Sequence, residues 1–79
     1  MKIPRDVNGS ELVKVLKKIG FFESRQLGSH IRLTYKTSEE EFHITVPNHK
    51  PIKVGTLNSI ITEVANHLKI NKQEIIDLL

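Results

Sequence analysis

Among the four histidines of this 79-residue chain, His30 stands where a side chain could do chemistry. It follows Gly28 and Ser29 and opens Ile31-Arg32-Leu33-Thr34-Tyr35, whose alternation of apolar and polar residues is that of a half-buried strand. A glycine turn thus delivers a titratable group onto the first residue of a rigid element. Imidazole both takes and gives a proton near neutral pH, and Arg32, two residues along on the same strand face, would stabilise developing negative charge. The competing reading, an exposed strand histidine and a solvated strand cation with no chemical role, stays open on these residues alone.

The remaining histidines are placed differently. His43 falls in a third alternating run, on its outward side, and the pairing register that would set its distance from His30 or Arg32 is not legible. His49 lies in a loop, and His67 near the end of a helix, where a histidine favours the C-terminal dipole. With no cysteine and no His-x-x-x-His pair, the spacings match no compact metal-ligand pattern, and no metal or other cofactor is expected.

The elements that must hold these residues follow from periodicity and caps. Asn8 and Ser10 offer helix caps, Glu11 stands three residues after Asn8, and Leu12, Leu16 and Ile19 share one face, which predicts a helix over Ser10 to Ile19 ended by Gly20. Residues 21 to 27 read as a strand, and His30 to Tyr35 as its hairpin partner across Gly28-Ser29. Glu41 to Val46 reads as a third strand that Pro47 closes. Leu57, Ile60, Ile61, Val64 and Leu68 mark a second helix with Thr56 as its expected cap, and Asn71-Lys72-Gln73-Glu74 opens a short terminal helix. The fold class is therefore α+β: helix, three-stranded antiparallel sheet, helix, short helix. Parity puts Ile31, Leu33, Tyr35, Phe42, Ile44 and Val46 under the helices. It leaves His30, Arg32, Thr34, His43 and Thr45 on the other side. Phe21, Phe22 and Tyr35 read as packing residues rather than a base-stacking platform.

Composition bounds the rest. The length fits a single domain, residues 1–79, near the size at which a fold is only marginally stable alone. There is no repeat, low-complexity stretch or linker. The opening Met1-Lys2-Ile3-Pro4-Arg5-Asp6 has no apolar core of a leader, and no apolar run approaches the ~20 residues of a membrane span, so the expectation is a cytoplasmic protein without a membrane partner. The net charge of +3 is unevenly spread. Residues 1 to 36 carry eight Lys/Arg against three Asp/Glu, a balance of +5, while residues 37 to 79 carry four against six, a balance of −2. His30 sits in the basic part. A polyanion-facing surface has this asymmetry, and so does a solvated helix bearing Lys14, Lys17 and Lys18.

Four blocks in order complete the pattern: Gly20-Phe21 after the short basic helix, Gly28-Ser29-His30 opening a strand, Val46-Pro47-Asn48-His49 closing the third, and Gly55-Thr56-Leu57-Asn58-Ser59-Ile60-Ile61 opening the second helix. Together they resemble the HicA toxin family, and the resemblance runs from about Ile3 to Leu79. It implies a fold similar to the double-stranded RNA-binding domain. It also implies the activity of a ribosome-independent mRNA endonuclease that inhibits translation and growth, neutralised by a HicB-like antitoxin. His30 matches the family's catalytic histidine. His49 falls on a family-typical position and is carried over only as a candidate second acid or base.

The implied chemistry needs few parts. RNA supplies its own nucleophile, the 2′-OH, so one histidine, a second proton donor for the leaving 5′-oxygen and a cation would suffice without metal. His30 is then the acid or base, Gly28 and Ser29 offer donors to phosphate, and Arg32 stabilises charge; of these only His30 has the family's support. DNA, lacking the 2′-OH, is not an expected substrate or partner. The alternative from a different class is a non-catalytic RNA- or protein-binding module on the same fold, and His30 discriminates the two, since a binder gains little from an imidazole there.

Overall fold

Two Asn-x-x-Glu segments nucleate the first and last helices as their spacing predicts. Glu11 Oε1 accepts from the Asn8 N–H at 3.0 Å, and Glu74 Oε2 from the Asn71 N–H at 3.0 Å. The computed structural model describes residues 2–79, Met1 lying outside the described residues. Its elements are α1 (Gly9–Ile19), β1 (Phe22–Leu27), β2 (His30–Lys36), β3 (Glu41–Pro47), α2 (Val54–Leu68) and α3 (Lys72–Ile76). This is the α+β order expected.

The strands form one antiparallel sheet in the order β1-β2-β3. Both helices pack on the side carrying Ile31, Leu33, Ile44 and Val46, where α1 contributes Leu12, Val13, Val15 and Leu16 and α2 contributes Leu57, Ile60, Ile61, Val64 and Ala65. α3 adds Ile75, fully buried, and the loop before α2 adds Ile52. Each fully buried Leu or Ile stabilises by about 1.5–3 kcal/mol relative to exposure. Among the described residues, no helix lies on the opposite side of the sheet.

Three details depart from the sequence reading. β1 starts at Phe22, because Phe21 turns into the core and packs edge-on against Phe42 (6.0 Å between centroids) and obliquely on Tyr35 (5.4 Å). α2 begins at Val54 with Lys53 as its N-cap, so Thr56 lies inside the first turn and does not cap it. Ile52, buried and donating its N–H to Val7 C=O at 2.8 Å, anchors the chain immediately upstream, and the helix starts as soon as that anchor is set. Gly9, which the sequence did not single out, lets α1 seat against the end of β3. A Cβ there would lie 2.5 Å from Pro47 O and 2.7 Å from Asn48 Cα, and the Gly9 N–H donates to His49 C=O at 2.9 Å.

Candidate active site

Register turns the open side of the sheet into three rungs. Leu27, His30 and Pro47 form the first; Arg25, Arg32 and Thr45 the second; Phe22, Thr34 and His43 the third. The Gly28-Ser29 turn closes the first rung. Gly28 adopts φ 58, the left-handed conformation that a two-residue hairpin loop requires and glycine supplies at least cost. Asn48 N–H donates to Ser29 C=O at 2.6 Å, which ties the loop carrying His49 to the same turn. Among the described residues, no backbone carbonyl accepts from the Gly28 or Ser29 N–H.

His30 is exposed, as parity predicts, and with Arg25, Leu27, Arg32 and Thr45 it lines a shallow depression of about 190 Å³. Two guanidinium groups and an imidazole thus share a concavity that, among the described residues, no carboxylate lines. Among the described residues neither arginine has a carboxylate within ion-pair distance, so both charges remain available to an anion. An arginine presents a planar fork of donors matched to phosphate. The expected Gly28, Ser29, His30 and Arg32 therefore gather at one end of the open face. Arg25 and Leu27 were missed, although counting back from a two-residue turn pairs Leu27 with His30 and Arg25 with Arg32.

The third rung could not be counted the same way. A β-bulge between Glu23 and Arg25 inserts one residue into β1, so Glu23 turns toward α1, where it meets Lys17 at 3.6 Å, and Phe22 turns outward. Phe22 is 49% exposed, a correction to its reading as a packing residue. Thr34 is corrected in the opposite sense: it lies on the open side but is only 3% exposed, with its hydroxyl bonded to Ser24 Oγ and His43 Nδ1, each at 2.9 Å.

The other histidines separate by role. His67 stacks on Phe42, with ring centroids 4.0 Å apart, and its Nε2 lies 3.1 Å from Glu40 Oε1 without hydrogen-bond geometry. It belongs to the helix-covered side, away from His30. His43 stands on the third rung, separated from His30 by the arginines. Among the described residues, no three His, Cys, Asp or Glu side chains converge as a metal set, and no helix is long and apolar enough to cross a membrane.

Residues 9–66, most of the chain, match the family model described as the HicA toxin of bacterial toxin-antitoxin. The chain belongs to the HicA toxin family. All four sequence blocks that carry the resemblance lie inside the matched span. No curated protein and no solved structure gives a match. As a HicA toxin, the protein is one half of a toxin–antitoxin system, and such a system includes an antitoxin partner.

Proposed function

We propose that this HicA protein is a metal-independent endoribonuclease acting on mRNA, with His30 as its catalytic acid or base and a HicB-like antitoxin as its inhibitor. The observation that carries the reading is the depression in which His30 stands beside Arg25 and Arg32 with no carboxylate among its lining residues. A phosphodiester held by the two guanidinium groups presents its 2′-oxygen or its 5′-oxygen to the imidazole. The 2′-OH loses its proton and forms a bond to the adjacent phosphorus, the P–O5′ bond breaks, and a proton passes to the departing 5′-oxygen. Arg32 and Arg25 stabilise the extra charge on the pentacoordinate phosphorus, and the Gly28 and Ser29 N–H groups are further donors at the same end. His49, one residue beyond the Asn48–Ser29 link and not among the residues lining the depression, is the candidate second acid or base on the family resemblance alone.

The rest of the reading concerns context. We read the chain as one HicA-like domain whose layout is similar to the double-stranded RNA-binding domain, active in the cytoplasm where mRNA and antitoxin are found. A sheet side without helices lets an antitoxin inhibit by covering His30 and the arginines, and an acidic partner surface would associate quickly. The test is cleavage chemistry: purified protein in chelator should cut RNA to a 2′,3′-cyclic phosphate and a free 5′-OH, and should spare an all-deoxy strand. Cleavage that requires magnesium, or equal cutting of DNA, contradicts it.

A further inference from the structure

The third rung of the open side is built in a way that the cleavage chemistry at His30 does not use. Ser24 Oγ donates to Arg32 C=O at 3.2 Å, which spends its single proton. Thr34 Oγ1 donates to Ser24 Oγ at 2.9 Å, which spends its own. The remaining contact of Thr34 Oγ1 is with His43 Nδ1 at 2.9 Å. This chain of contacts fixes the orientation of the His43 ring, whose Nε2 lies 3.5 Å from Glu41 Oε2. Across Thr34 on the same rung stands the Phe22 ring, half exposed because the bulge has turned it out of the core. An apolar ring is thus presented to solvent on one side of Thr34 and a hydrogen-bonded imidazole on the other, with Arg25 and Arg32 between this rung and His30.

We propose that Phe22 and His43 form a base-binding subsite for single-stranded RNA, occupied by a nucleotide flanking the one cut at His30. This rests on the endoribonuclease reading and names its substrate class. Thr34 lies four residues from His30 along β2, so the two outer rungs are ~13 Å apart, more than one nucleotide spans, and the arginine rung lies halfway. A strand crossing the face places phosphate over the arginines and a base against Phe22. Every base offers a π-face, and a base unstacked from its neighbours, as single strands allow and duplexes do not, can stack on an aromatic side chain. The charge of the middle rung favours a polyanion over an apolar occupant, and the rung is continuous with the depression at His30.

An abasic scan of a short unstructured oligoribonucleotide around its mapped cut site tests this on the unaltered protein. The expected result is a roughly tenfold fall in kcat/KM, carried by KM, for one abasic position about two nucleotides from the cut bond. Phe22→Ala should lower kcat/KM on the intact oligonucleotide by a similar factor and erase the penalty at that position, while Phe22→Tyr retains both. Thr34→Val, which removes the hydroxyl that meets His43 Nδ1, should shift the His43 imidazole ¹⁵N resonances and raise KM without changing kcat. A flat scan, or a Phe22→Ala protein with unchanged KM, overturns the subsite while leaving the nuclease reading intact; so does a Phe22→Ala change that weakens only antitoxin binding, since the ring would then belong to the protein interface. Unaltered protein that does not cut RNA overturns both.

Discussion

The two sides of this three-stranded sheet use the same strands for opposite purposes. Under α1 and α2, Ile31, Leu33, Ile44 and Val46 are buried in an apolar layer, where free energy comes from area removed from water. On the other side, His30, Arg25, Arg32 and Thr45 are exposed in a shallow concavity where little apolar area is at stake. The side that holds the fold together therefore has no candidate chemistry, and the side with the chemistry contributes little to stability. Substitutions should split accordingly.

The largest stability loss belongs to the covered side. Leu33→Ala should cost about 2–5 kcal/mol, measured by urea unfolding, because it opens a cavity in a fully buried position. Its neighbour on the same strand, Arg32→Ala, should stay within about 0.5 kcal/mol. Similar losses for the two would mean that the open side is structural after all.

Next in size is the seam where the sides are joined. Gly9→Ala places a Cβ 2.5 Å from the Pro47 carbonyl, against backbone that cannot easily give, and should destabilise by about 1–3 kcal/mol in the same assay. Gly28→Ala meets nothing within 4 Å, so its cost is conformational only, about 1–2 kcal/mol for a β-carbon at φ 58. If Gly28→Ala proves the more damaging of the two, the turn and not the α1–β3 seam is the tighter constraint.

The smallest stability effects should accompany a clear binding effect. Arg32→Ala and Arg25→Ala should each reduce the slope of log affinity for RNA against log salt by about 1, because each guanidinium displaces a phosphate counterion. An unchanged slope removes that arginine from the RNA surface. Addition of the antitoxin should bury His30, read as loss of its imidazole signals' solvent exchange in the complex; a His30 still open to solvent excludes inhibition by covering.

Much of this division was legible in the residues, and what was not has identifiable causes. Alternation in β2 and β3 is strict, so parity placed His30 and Arg32 outward and Leu33 and Ile44 inward without knowledge of the register. Arg25 needed one further step, counting back from the Gly28-Ser29 turn. Phe22 could not be found this way, because the bulge that reverses its direction leaves no compositional mark in Phe22-Glu23-Ser24-Arg25. The burial of Thr34 has the same origin: it depends on what stands at Phe22 and Ser24 across the irregular register. Gly9 was hidden by its position inside a helix, where a glycine looks like a poor helix former and its close approach to Pro47 is a tertiary fact. Thr56 failed as a cap because the anchor at Ile52, a long-range contact, sets where α2 begins.

The central claim is that His30 acts on RNA and supports no part of the core. Side-by-side incubation of end-labelled RNA with the unaltered protein and with His30→Ala, in chelator, with melting curves of both, tests it directly. The prediction is a fall in cleavage rate of at least about 10²-fold for His30→Ala with an unchanged melting temperature. A His30→Ala protein that cuts RNA at the original rate, or one that no longer folds, contradicts it.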